Sequence, residues 1–120
     1  MSKKTVILGA SLKSERYSNI ATNRLLNHGH EIVPVGLREG MIGTAEILKG
    51  KPKITDVDTI TLYLNPKRQE EYYDYILGLK PKRIIFNPGT ENMALIHLAE
   101  EQGIETEIAC TLVMLSVGNY

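Results

Sequence analysis

The sequence predicts an α/β fold in which a doubly wound, parallel, five-stranded sheet lies between two layers of helices, a three-layer α/β/α arrangement. Five short segments rich in apolar and β-branched residues alternate with segments of helical periodicity. All but the second of the connections between them are short, as in successive βαβ units. The first strand ends in glycine and is followed by a polar loop and a helix, which is typical of units that bind anions.

The elements follow from apolar spacing and from the residues that bound them. The predicted strands are residues 4–9, 31–35, 59–64, 83–86 and 104–109. The predicted helices are residues 19–27, 67–79 and 91–102. Gly29 and Gly103 suit helix ends and Pro66 suits a helix start. The apolar segment 111–117 fits either a final short helix or a stretch that lies on the sheet or on a partner.

Residues 36–53 are the irregular part of the chain, because four glycines interrupt them and no helical period is evident. A long glycine-rich segment in a small domain usually forms a ligand or interface loop. A poorly packed crossover is the alternative interpretation.

Strand order 3-2-1-4-5 is the natural doubly wound arrangement for these five strands. Ligands of such sheets bind beyond the carboxyl ends of the strands, at the switch point, here expected between strands one and four. This arrangement predicts that four loops meet at one edge: residues 9–19, 36–43, 65–66 and 87–90.

Length and composition predict a single domain over residues 1–120. The 14 basic and 14 acidic residues cancel, which argues against a nucleic-acid partner, since such proteins usually carry a basic excess. Near-zero charge and the apolar C-terminal segment favour a homodimer. One cysteine, no signal-peptide pattern and no membrane-length apolar run predict a cytoplasmic protein without a membrane partner.

The loop after the first predicted strand indicates which nucleotides the protein could bind. Of the dinucleotide fingerprint G-x-G-x-x-G only the first glycine, Gly9, is present, and serines hold the other two places. Basic and hydroxyl side chains follow that could bind phosphates. After strand two, Arg38 precedes the first carboxylate, Glu39, so the usual ribose-binding acid of NAD enzymes is missing. Arg38 could instead meet a ribose phosphate, as in NADP or coenzyme A (CoA).

Several segments together resemble the small stand-alone CoA-binding domain proteins (the YccU-like group). Their domain is similar to the CoA-binding domain of the succinyl-CoA synthetase α subunit. The matching segments are GAS (9–11), RYSN (16–19), HGHEIVPV (28–35), NP (65–66), NPGTEN (87–92) and ACTLVML (109–115). The resemblance implies a Rossmann-like fold and a CoA or acyl-CoA site, and it implies no established reaction for the stand-alone proteins.

The resemblance also implies roles for individual residues around the turn at Gly9. The first loop would hold the diphosphate through Ser11, Lys13, Arg16, Tyr17 and Ser18. The adenosine phosphate end would meet Gly36 and Arg38. The adenine or pantetheine path would be lined by Leu64, Asn65 and Pro66, and the opposite wall would be Asn87, Pro88 and Gly89. The synthetase loop has extra glycines, and its phosphohistidine lies in another domain, so ligase chemistry is not expected.

Two residues leave catalysis open as an alternative. Cys110 is expected to be a small buried side chain, but it could be a thiol near the CoA thiol. Glu91 is expected to stabilise a helix N-terminus, but it could be an acid or base at the cleft. The hypotheses are therefore a CoA or acyl-CoA sensor or carrier, an NADP-dependent or thioester-handling enzyme using Cys110 or Glu91, and an interaction protein that kept the fold without the ligand. The histidines do not form a metal-binding set.

Overall fold

Seven strands form one sheet in the computed structural model, which describes residues 2–120. The strands are β1 (Thr5–Ala10), β2 (Ile32–Gly36), β3 (Gly40–Ile42), β4 (Ala45–Lys49), β5 (Thr59–Leu62), β6 (Arg83–Phe86) and β7 (Glu105–Ile108). The helices are α1 (Tyr17–Asn27), α2 (Pro66–Gln69), α3 (Tyr73–Gly78), α4 (Met93–Glu101) and α5 (Thr111–Val117), with a 3-10 turn (Glu70–Tyr72) between α2 and α3.

The strands lie in the order β3-β4-β2-β1-β5-β6-β7. All neighbouring pairs are parallel except β3 with β4, which form an antiparallel hairpin at one edge. In the central strand, β1, Val6 pairs with Val33 on one side and with Ile60 on the other. The carboxyl ends of six strands therefore point to the same edge of the sheet.

Alternating side chains of β1 supply two separate cores, one on each face of the sheet. Ile7 packs in a cluster with Leu25 of α1 and Leu115 of α5. Val6 and Leu8 belong to the other cluster, which includes residues of α3 and α4. Full burial of such a side chain contributes about 1.5–3 kcal/mol. The α/β class, the doubly wound sheet and the three-layer, Rossmann-like arrangement are confirmed.

The number and order of the strands were wrong in the prediction. The irregular segment 36–53 contains β3 and β4, and β4 lies beside β2 in the place that was assigned to residues 59–64. Of those residues, 59–62 form β5, which lies on the opposite side of β1. With β4 counted as the third strand, the six parallel strands follow the order 3-2-1-4-5-6, so the switch point lies between β1 and β5.

The remaining differences concern helices. The predicted helix 67–79 is divided into α2, the 3-10 turn and α3, and the segment 111–117 is the helix α5. Met114 and Leu115 of α5 are buried, whereas Val113 and Val117 are exposed. The homodimer predicted from this segment stays a prediction. Among residues 2–120 no helix has the length and apolarity needed to cross a bilayer.

Candidate functional site

A cleft of about 760 Å³ opens at the carboxyl ends of β1, β2 and β5. The connection that leaves β1 leads to a helix on one face of the sheet, and the connection that leaves β5 leads to the other face. The chains therefore diverge between β1 and β5 and leave a crevice, as expected at a switch point. All four loops predicted to meet at this edge contribute lining residues.

The loop after β1 is held in place by hydrogen bonds of its own. The backbone oxygen of Ser11 accepts a hydrogen bond from Nδ2 of the buried Asn19 (2.9 Å), and the Ser11 hydroxyl oxygen accepts from the Lys13 N–H (3.1 Å). The Arg16 N–H donates to the Lys13 carbonyl (3.0 Å). These bonds hold the loop that leads from β1 into α1, and Ser11, Lys13 and Arg16 all line the cleft.

The N-terminus of α1 offers unpaired donors to the cleft. Arg16 is the N-cap residue, its side chain makes no capping bond, and the first turn contains no acidic residue. Within the described part of the chain, the backbone N–H groups of Tyr17 and Ser18 have no acceptor. Unpaired N–H groups at the positive end of the helix dipole favour an anion.

Two glycines let backbone segments approach closely beneath this loop. Gly9 has φ +103°, and a Cβ there would lie 2.9 Å from the carbonyl carbon of Tyr63. A Cβ at Gly36 would lie 2.3 Å from the carbonyl oxygen of Ala10. The pairing of β1 with β2 shifts register between Leu8 and Ala10, where these contacts occur. Both glycines therefore shape the floor of the cleft by lacking a side chain.

The cleft is lined by cations without an opposing acid. Its lining includes Lys13, Arg16, Arg38 and Arg68 and no Asp or Glu. The four side chains are exposed, and none forms a salt bridge among residues 2–120. In a chain of zero formal charge, this concentration of positive charge favours a ligand with several negative charges.

The walls beyond the first loop come from the connections after β5 and β6. Asn65 caps α2 by accepting a hydrogen bond from the Arg68 N–H (2.9 Å), and both residues line the cleft. Tyr72 also lines it, and the Lys51 Nζ lies 5.3 Å from the centre of its ring. Tyr63 also lines the cleft, and burial raises the pKa of its hydroxyl above the usual tyrosine value.

The structure brings together around this cleft twelve of the fourteen residues predicted from the sequence. They are Gly9, Ser11, Lys13, Arg16, Tyr17, Ser18, Gly36, Arg38, Leu64, Asn65, Pro88 and Gly89. Pro66 and Asn87 are outside the lining. Asn87 is buried, its Nδ2 donates to Thr61 and Leu62, and its Oδ1 accepts from the Thr111 N–H. Its side-chain amide therefore bonds to residues of β5 and α5 and not to the cleft.

The lining also contains residues that the sequence did not single out for a site. They are Leu8, Ala10, Leu12, Val35, Leu37, Tyr63, Arg68, Tyr72 and Thr90. Most are neighbours of predicted residues in the same loops. Arg68 lies three residues after Asn65, at the end of a predicted strand, and this place in the chain was a usable signal.

The two residues proposed for catalysis lie outside the lining. Glu91 accepts a hydrogen bond from the Gly89 N–H (2.8 Å), so its carboxylate closes the turn before α4. Cys110 is half-buried and is the N-cap residue of α5. The described residues contain no group of three or more His, Cys, Asp or Glu side chains placed to hold a metal ion.

Solved structures share the fold of this chain. The chain is similar to an uncharacterized protein of known crystal structure, with 52% identity, a TM-score of 0.97 and coverage of 100% of this chain and 99% of the other. A hypothetical protein from Pyrococcus horikoshii OT3 is 26% identical, with a TM-score of 0.83 and coverage of 97% and 83%. A conserved hypothetical protein from Pyrococcus furiosus is 26% identical, with a TM-score of 0.76 and coverage of 88% and 91%.

The family assignment comes from the sequence as a whole. No curated protein matches the chain. The model of the family described as CoA binding domain matches residues 3–116, which include every element of the sheet and all residues of the cleft. The chain therefore belongs to the CoA binding domain family.

Proposed function

We propose that this protein binds CoA or an acyl-CoA and acts in the cytoplasm as a non-catalytic sensor or carrier. The observation that carries the proposal is the cleft at the switch point, with four cations, no carboxylate and two unpaired N–H groups at the start of α1. CoA carries a diphosphate and a ribose phosphate, so its charges match such a lining. Membership of the CoA binding domain family supports the same ligand.

The proposed orientation assigns one part of CoA to each wall. The diphosphate lies at the loop after β1, where Tyr17 and Ser18, with their free N–H groups, line the cleft together with Lys13 and Arg16. The adenosine phosphate end lies near Arg38, beyond β2. The remaining length of the ligand passes Asn65 toward Gly89. A volume of about 760 Å³ is within the range of about 300–1,000 Å³ usual for ligand sites.

The alternative ligand is NADP, which also carries a diphosphate and a ribose phosphate. The enzyme considered from the sequence would use Cys110 or Glu91, and neither residue belongs to the lining. The binding module is therefore the better-supported candidate. An interaction protein that kept the fold would bind neither ligand.

Calorimetric titration with CoA, acetyl-CoA, NADP and NAD separates these candidates. We expect saturable binding of CoA and acetyl-CoA, binding at least ten-fold weaker for NADP, a difference of about 1.4 kcal/mol, and none for NAD. Tighter binding of NADP than of CoA would move the proposal to a nicotinamide enzyme. A folded protein that gives no heat with any of the four would favour the interaction protein.

A further inference from the structure

A buried amide joins two walls of the cleft without lining it. Gln69 is the last residue of α2, and its side chain is inaccessible to solvent. Its Nε2 donates one hydrogen bond to the carbonyl oxygen of Leu64 (2.8 Å) and another to the carbonyl oxygen of Thr90 (2.8 Å). Leu64 and Thr90 both line the cleft and belong to different connections. Both donors of this amide are therefore used to hold the walls together.

The acceptor of the same amide is also occupied. Oε1 of Gln69 accepts a hydrogen bond from Nδ2 of Asn92 (3.0 Å), which also donates to the Tyr73 hydroxyl (2.8 Å). Oδ1 of Asn92 caps α4 by accepting from the Leu95 N–H (3.2 Å). A fully satisfied buried network of this kind holds its members in a single arrangement, because each broken bond leaves a buried polar group unpaired.

The network lies just beyond the end of the β5–β6 ladder, where both chains enter the lining of the cleft. The ladder between β5 and β6 ends at the pair Leu62 and Phe86. Beyond that pair both chains continue into connections that line the cleft, and the hydrogen bonds of Gln69 link Leu64 of one connection with Thr90 and Asn92 of the other. The hydrogen bonds of the Gln69 side chain thus hold the two connections together beyond the end of the β5–β6 ladder.

We infer that Gln69, supported by Asn92, is a positioning residue that fixes the spacing of the two walls and so prepares the cleft for its ligand. The inference rests on the proposed function, since it concerns the affinity of the same site. Walls that are already fixed before binding lose less conformational freedom when the ligand enters, and affinity rises accordingly.

Two variants test this link: one removes the hydrogen bonds of Gln69, and the other removes only the bond that supports its amide oxygen. Gln69→Met keeps the length of the side chain and removes both donors and the acceptor. Asn92→Ser keeps a good N-cap for α4 but cannot reach Gln69. Titrated with CoA below their unfolding temperatures, both are expected to bind about ten-fold more weakly than wild type. Amide hydrogen exchange without ligand is expected to become faster in residues 63–65 and 89–91 together.

Thr59→Val is the matched control for a general loss of buried hydrogen bonds. Thr59 is buried at the amino end of β5, away from the cleft, where it accepts from Arg83 Nε (2.8 Å) and donates to Asp58 (2.7 Å). This variant is expected to unfold at a lower temperature and to bind CoA as wild type does.

Wild-type affinity in Asn92→Ser, or in a folded Gln69→Met, would overturn the inference, and so would an affinity loss of the same size in Thr59→Val. If Gln69→Met does not fold, Asn92→Ser decides alone. If wild type itself does not bind CoA, the proposed function fails, and hydrogen exchange still decides the inference. Faster exchange confined to the start of α4 in Asn92→Ser would then overturn it.

Discussion

Replacement of Arg16 by glutamate is expected to weaken CoA binding by about a hundred-fold or more. Arg16 lies at the N-cap of α1, beside two N–H groups that have no acceptor among the described residues. The substitution removes a charge-assisted hydrogen bond, worth about 1.5–3 kcal/mol, and places a carboxylate against the ligand diphosphate. A loss near 3 kcal/mol corresponds to roughly a hundred-fold in the dissociation constant, which calorimetric titration measures directly.

Arg24→Glu is the matched control, because it makes the same change of charge on the same helix. Arg24 is exposed in the last turn of α1 and does not line the cleft. We expect this variant to bind CoA within about two-fold of wild type, since exposed charges away from the site are largely screened. Equal losses in the two variants would mean that net charge, and not the N-terminus of α1, controls binding.

Replacement of Gly36 by alanine is expected to lower both the stability of the fold and the affinity for CoA. The added Cβ would lie 2.3 Å from the carbonyl oxygen of Ala10, a backbone atom, and 3.3 Å from Cγ2 of Ile47. Relief of this overlap requires β1 and β2 to separate at the floor of the cleft. Such overpacking typically costs about 1–3 kcal/mol, and chemical denaturation measures the loss.

Gly78→Ala is the control for the glycine substitution. Gly78 is the last residue of α3, and a Cβ there meets nothing within 4 Å. Alanine favours helix over glycine by up to about 1 kcal/mol, so this variant is expected to be as stable as wild type or more so, with unchanged affinity. A Gly36→Ala protein with wild-type stability and affinity would contradict the role assigned to this close approach.

The central part of the fold was predictable because its signals are local. In β1 a short apolar run ends at Gly9, and its boundaries differ from the prediction by one residue at each end. The hairpin β3–β4 was missed because its strands are short and contain or adjoin glycines. Gly43, with φ +60°, forms part of its turn. β4 is a strand because it pairs with Val35 and Gly36 of β2. Such long-range pairing cannot be seen in the sequence.

The candidate site was predictable where position in the chain decides position in space. Residues that follow a parallel strand lie at its carboxyl edge, so the loops after β1, β2, β5 and β6 could be assigned to one cleft. Hydrogen-bond partners could not be assigned in this way. Asn87 directly follows a strand, which is where a ligand-binding residue is expected. Its side-chain amide instead bonds to Thr61, Leu62 and Thr111.

Arg68 and Gln69 illustrate the same limit on the helical side. Both are polar residues of a short helix, and helical periodicity separates buried from exposed positions but does not show which exposed position lies beside a cleft. In the structure Arg68 lines the cleft, whereas Gln69 is buried and bonds to two of its walls. The break at the 3-10 turn Glu70–Tyr72 ends the simple helical pattern there.

The most direct test of the account is a map of backbone amide chemical shifts during titration of the wild-type protein with CoA. We predict saturable shifts in residues 9–18, 36–38, 64–65, 67–68 and 89–90, which surround the cleft. Residues 54–58, 78–80 and 82, at the opposite edge of the sheet, are expected to stay unchanged. Shifts concentrated at that opposite edge, or no shifts at saturating CoA, would contradict the claim that this cleft is a CoA site.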